Sequence, residues 1–136
     1  MVTFSNTYEP DTGFKSRFFR YDNRINRKRY NLRQLSLSPV YLLIMFVAAF
    51  MVTGLWFRDE TVAAIVTVIM TVLLIVAIIS SVTLVIRRLH DLNRPGWFII
   101  GMILPVVNIA LLIYLSFFKG TEGSNQYGPD PLGLVK

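Results

Sequence analysis

Residues 87–97, RRLHDLNRPGW, put three arginines, the single histidine of the chain and an aspartate into one short connection between two strongly apolar runs. Three chemistries use such residues. Guanidinium groups bind phosphates or carboxylates through a planar fork of donors, imidazole moves protons near neutral pH, and imidazole with carboxylates holds metal ions. Spacing discriminates between them. His90 and Asp91 are adjacent, so on a helix their side chains point ~100° apart and make a poor base–orienter pair. The cluster has no nucleophile, and one histidine with scattered carboxylates falls short of the roughly three or four ligands of a zinc site. No catalytic residue, cofactor or metal is therefore expected.

Arginine chemistry remains, with two readings. In one, Arg87, Arg88 and Arg94 fix the orientation of a membrane chain and bind lipid phosphates, Asp91 balances one arginine, and His90 hydrogen-bonds near a helix end. In the other, Arg88, His90 and Asp91 form a polar junction with the segment carrying Arg24 and Arg27, or with the C-terminal tail. Such a junction holds helices together or senses pH.

The elements that must position this cluster are membrane helices. The chain has 136 residues, 54% of them hydrophobic. Residues 39–57, 61–86 and 97–118 carry no formal charge, and each run meets the ~20 residues needed to cross a ~30 Å hydrocarbon layer. The expected fold is an all-α integral membrane protein with three transmembrane helices over these spans. The first run lies behind a polar segment of nearly forty residues, so it is not read as a cleavable signal peptide. Run 61–86 is ~39 Å long as a helix and must tilt or project beyond the core. Pro105 and Asn108 interrupt the last run, marking a kink packed on the other helices or, alternatively, a re-entrant hairpin broken at Pro105.

Charge orients the runs. The chain has 14 Lys and Arg against 8 Asp and Glu. Eight of the basic residues fall within 15–33 and three within 87–94, whereas Arg58-Asp59-Glu60 is net negative. The positive-inside tendency puts the N-terminus and RRLHDLNRPG in the cytoplasm. A third full crossing then makes the C-terminus external. Basic flanks are what topology requires, so nucleic acid is not an expected partner. The chain lacks cysteine, which removes disulfides and thiolate chemistry.

Around one membrane domain the sequence divides simply. Residues 1–13 read as a flexible tail, 14–38 as a basic cytoplasmic interfacial segment, 39–118 as membrane helices and 119–136 as a polar Gly/Pro-rich tail. Phe14, Phe18, Tyr21, Ile25, Leu32 and Leu35 recur at helical spacings with arginines between them, as in a helix lying on the membrane surface. An interruption is expected near Asp22-Asn23, with Asn26 capping a restart at Arg27. Ser38-Pro39 reads as the cap and first residue of the first spanning helix. Pro95, Gly96 and Trp97 end the second helix and open the third run. In the tail, Gly120, Gly123, Asn125, Tyr127, Gly128, Pro129, Asp130 and Pro131 read as a rigid chain of turns. The stretch GTEGSNQYG lacks the lysine and following helix of a phosphate-binding loop.

Together RINRKRY at 24–30, RLHDLNRPGW at 88–97, the mid-run proline and KGTEGSNQYGPDP at 119–131 resemble the bacterial inner-membrane family known as domain of unknown function 805. The resemblance covers residues 14–131. Members usually have glycine and tryptophan at the positions of Asn23 and Asn31. It implies a small multi-span inner-membrane protein and no established activity.

The expected role is non-enzymatic association with anionic membrane lipids or another membrane protein through the arginine-rich cytoplasmic face. The alternative is a subunit of a small oligomeric transporter or channel. Ala48, Ala49, Thr53, Gly54, Ala77, Ser80, Ser81 and Gly101 would let helices of one chain or several copies pack closely. An enzyme acting on lipid phosphates ranks last.

Overall fold

The structure is a computed structural model and describes residues 8–53 and 59–133. Helices α1 (Phe14–Phe18), α2 (Arg27–Thr53) and α3 (Glu60–Asp91) are followed by a 3-10 segment (Gly96–Ile103) and α4 (Pro105–Phe117). Residues 54–58, which include the end of the first expected span, Gly54 and Arg58, lie outside the described residues.

Each long helix is bounded by local chemistry. Asn26 Oδ1 accepts the Arg29 amide at 2.9 Å, capping α2 where the sequence predicts a restart. Asp59 Oδ1 accepts the amides of Thr61 (2.8 Å) and Val62 (3.2 Å) at the start of α3. At the other end, Asn93 adopts φ 56°, its amide donates to His90 O (3.1 Å), and that of Arg94 donates to Leu89 O (2.8 Å). This left-handed cap closes the helix, and Pro95 prevents its restart.

Ser38-Pro39 does not begin a helix. Helix α2 runs through Pro39 without a break, because the carbonyl that proline leaves without an amide partner, that of Leu35, accepts the Ser38 hydroxyl at 2.7 Å.

Helices α2 and α3 pair antiparallel. The Tyr41 hydroxyl meets Ser81 Oγ at 2.9 Å, and the small Ala77 and Ser80 of α3 are buried. Both are long and apolar enough to cross a membrane. Toward their far ends, large residues such as Phe46, Ile65, Val68 and Val72 are exposed. The buried core lies instead at the opposite end, where Ile25, Tyr30, Leu37, Leu84, Val85, Leu89, Leu92 and Leu115 meet.

The third run is a 3-10 segment followed by the shorter apolar helix α4, not one continuous helix over residues 97–118. Proline pushes Leu104 into extended geometry (φ −87°, ψ 121°) and then serves as the first residue of α4. The chain turns back on itself: a Cβ on Gly101 would lie 3.0 Å from Val107 and 3.1 Å from Leu111, and Asn108 Nδ2 donates to Met102 O at 2.9 Å. With 13 residues, α4 is ~20 Å long, short of a ~30 Å core. A hairpin broken at Pro105 describes this geometry, and it returns the tail to the RRLHD end of α3.

Residues 8–13 also depart from expectation. They are not a free tail, because the Asp11 side chain is only 1% exposed and paired with Arg33 and Arg87. Helix α1 has five residues and gives way before Asp22, whose carboxylate accepts Arg20 Nε at 2.7 Å.

Candidate functional site

The core end of the hairpin is closed by two arginine knots. In the first, Arg24, Arg88 and Asp91 are fully or almost fully buried. Asp91 Oδ1 accepts Arg24 Nε (3.3 Å) and Nη2 (3.1 Å), while Oδ2 accepts Arg88 Nη1. Arg24 Nη1 also donates to the carbonyls of Gly123 (2.7 Å) and Gly128 (3.2 Å), and Nη2 to Thr121 O (2.6 Å) and Oγ1 (2.9 Å). Arg88 Nε donates to Leu115 O at 2.8 Å and Nη2 to Phe118 O. One carboxylate thus faces two cations, and carbonyl dipoles supply the remaining acceptors. Those of Leu115 and Phe118 are free because α4 ends there, at the negative end of its dipole.

The second knot joins the N-terminus to α3. Arg87 Nη2 and Arg33 Nη1 both donate to Asp11 Oδ2, at 2.6 and 2.8 Å, and both also reach Arg17 O (3.1 and 3.0 Å). Burial alone would raise the Asp11 pKa, but the Arg87 and Arg33 guanidinium groups more than offset it and hold the carboxyl below its ordinary value.

The tail is shaped to this junction. Gly120 passes so near Asp91 that a Cβ would lie 2.0 Å from its Oδ2. Thr121 N (2.8 Å) and Oγ1 (3.0 Å) donate to Asp91 O. Asn125 Nδ2 donates to His90 O at 2.9 Å, and the Tyr127 ring stacks on that of His90 with centroids 4.1 Å apart and planes 5° from parallel. Asp130 closes the turn by accepting the amides of Gly123 and Leu132, both at 2.9 Å. Pro131 is buried and its carbonyl accepts Arg29 Nη1 at 3.3 Å, while Pro129 is half-buried beside it. Gly128 has φ +125°, which brings its carbonyl to Arg24 at a backbone angle that side-chain-bearing residues avoid.

Not every candidate joins the knots. Arg27 and Arg94 are exposed, although Arg27 Nη1 reaches Phe117 O at 3.3 Å. His90 contributes a ring face and a backbone carbonyl, and its Nδ1 is buried without a hydrogen-bond partner among the described residues. Gly96 lets the 3-10 segment approach Ile86, Trp97 stays largely exposed, and Pro105 and Asn108 shape the hairpin rather than the junction.

Asp11, Arg33 and Thr121 are participants that the sequence reading misses. Their signal was faint: Asp11 sits among turn formers, Arg33 is one cation in a crowd, and Thr121 is a common residue.

Chemically, the junction turns four of the chain's own guanidinium groups inward onto two carboxylates. A cavity of about 110 Å³ beside Asp91 is walled by Arg27, Lys119, Glu122 and Asp130, and among the described residues no group of three His, Cys, Asp or Glu side chains is placed to hold a metal.

Two apolar membrane-length helices, a folded-back hairpin and a polar cap knotted by buried arginines define an all-α integral membrane protein. The profile of the family described as Protein of unknown function (DUF805) matches residues 18–129, and the chain belongs to that family. Inner membrane protein YhaH of Escherichia coli (strain K12) is 38% identical over 45 residues, 33% of this chain and 37% of that protein. Inner membrane protein YhaI of the same organism is 42% identical over 48 residues, 35% of this chain and 41% of that protein. The matched segments thus span less than half of either relative. No solved structure matches the chain.

Proposed function

We propose that this protein is a non-enzymatic inner-membrane component with two spanning helices and a hairpin that does not cross. Its knotted cap faces the cytoplasm and associates with anionic lipid. The observation that carries this reading is the division of labour among the cations. Arg24, Arg33, Arg87 and Arg88 turn inward, while Lys15, Arg17, Arg27, Lys28, Arg94 and Lys119 are exposed at the same end of the hairpin. A cationic rim beside apolar helices suits the cytoplasmic leaflet, whose surface potential is negative. The C-terminal tail then shares the cytoplasmic side with RRLHD, in place of the external C-terminus that three crossings would give.

Two measurements test it. A cysteine at exposed Ser124, in a chain with none of its own, is expected to react with a membrane-impermeant maleimide only after lysis; reaction in intact cells overturns the topology. Native mass spectrometry of the protein from mixed nanodiscs is expected to retain phosphatidylglycerol over phosphatidylcholine, with a preference that falls as salt rises. Equal retention of the two lipids overturns the lipid reading.

A further inference from the structure

We propose that the groove between α1 and the first turns of α2 seats the phosphate headgroup of an anionic phospholipid, an assignment that rests on the lipid reading above and gives it a specific address. The groove is open to the surface, with a volume of about 520 Å³. Arg17, Arg29 and Arg33 line it together with Phe18 and Leu32, so it offers a cationic side and an apolar side. Its charge is unbalanced: Asp11 is the carboxylate in the lining, and it is already shared between Arg33 and Arg87. Among the described residues, neither Arg17 nor Arg29 has a carboxylate partner. Arg29 Nη1 is held by the Tyr8 hydroxyl (3.0 Å) and Pro131 O (3.3 Å), and its guanidinium lies over the Tyr8 ring, 5.4 Å from the centroid. These contacts orient the cation without neutralising it.

Depth in the bilayer supplies the second argument. Thr83 Oγ1 donates to Phe18 O, Ser81 Oγ donates to Gln34 Oε1 at 3.3 Å, and Arg87 reaches Ser16 O and Arg17 O. The groove is therefore level with residues 81–87 of α3. Counting ~20 residues of α3 from Thr61 reaches the far edge of a ~30 Å hydrocarbon layer near Ser80. The arginines then stand in the phosphate zone. Leu32, 57% exposed, and Phe18 meet the glycerol and first methylenes of a lipid, which a soluble anion lacks.

The test uses the full chain in nanodiscs of phosphatidylglycerol and phosphatidylcholine, with retained lipid read by native mass spectrometry. Arg17→Gln is expected to weaken phosphatidylglycerol retention roughly fivefold, the effect of one cation near the surface. Ser36 is exposed on the groove's rim, so Ser36→Asp is expected to weaken retention and Ser36→Lys to strengthen it. A gain cannot arise from misfolding. Arg94→Gln, on the cationic rim but outside the groove, is expected to weaken retention less than Arg17→Gln does. Wild-type preference for phosphatidylglycerol that Arg94→Gln lowers while Arg17→Gln and both Ser36 variants leave it intact overturns the groove and spares the lipid reading; no wild-type preference overturns both. Millimolar inorganic phosphate is expected not to displace the lipid, and complete displacement would make this a site for soluble phosphate instead.

Discussion

A guanidinium removed from water needs an acceptor for each of its N–H groups, and Arg24 finds them in one carboxylate, one hydroxyl and three backbone carbonyls. A lysine there would keep the charge but present three donors from a single point, unable to reach acceptors spread around a plane. Arg24→Lys is expected to lower stability by about 2–4 kcal/mol, read as a lower unfolding midpoint in detergent; an unchanged midpoint would mean that the fork geometry contributes nothing. Asp11 gives a pH signature. Because its folded pKa lies below the ordinary 3.8, its contribution to stability is present above the unfolded value and is lost as pH falls through the folded one. The unfolding midpoint should therefore fall on acidification past the usual carboxylate range, and Asp11→Asn should flatten that part of the curve.

Among the elements, α2 shows how a helix tolerates an interior proline. The Ser38 hydroxyl occupies the Leu35 carbonyl that Pro39 leaves free. Removing the hydroxyl by Ser38→Ala should cost about 1 kcal/mol. In a Pro39→Ala background, where the restored amide bonds that carbonyl, the same change should cost almost nothing. Equal losses in the two backgrounds, measured by unfolding of the four proteins, would sever the link between serine and proline. The hairpin follows the opposite rule. At Pro105 the chain turns instead of continuing, and Asn108 spends its amide on Met102 O, so a polar group in an apolar run becomes the pin of a corner.

At the scale of the whole molecule, order is unevenly distributed. The spanning ends of α2 and α3 touch little besides each other, whereas the cap gathers the N-terminal segment, the end of α3, the end of α4 and the tail around two carboxylates. Gly120→Ala, whose new methyl would collide with Asp91, should loosen this cap without disturbing the helical pair. Hydrogen exchange is expected to accelerate across residues 87–94 and 119–131 and to stay slow across 65–76. Uniform protection would show that the cap accommodates the methyl, and uniform loss would show that the cap and the spanning pair unfold as one unit.

The sequence by itself determined the class of protein, the cap at Asn26, the end of α3 before Pro95 and the place where the last run breaks. Each of these follows from near-neighbour chemistry: apolar length, a side chain reaching its own helix end, or proline's missing amide. Only the tertiary structure decided that Pro39 is passed and Pro105 turned, and that Arg24, Arg87 and Arg88 point inward. Proline's local penalty is the same at both sites, and the outcome depends on which group takes the orphaned carbonyl and on what the next segment packs against. An arginine read from sequence is a mobile cation, equally suited to lipid, solvent or protein. The burial of Arg24 and Arg88 was settled by carbonyls freed some thirty to one hundred residues away, at the end of α4 and in the turns of the tail, which come within reach only once the hairpin has folded back, and that of Arg87 by Asp11 and the carbonyls of Ser16 and Arg17.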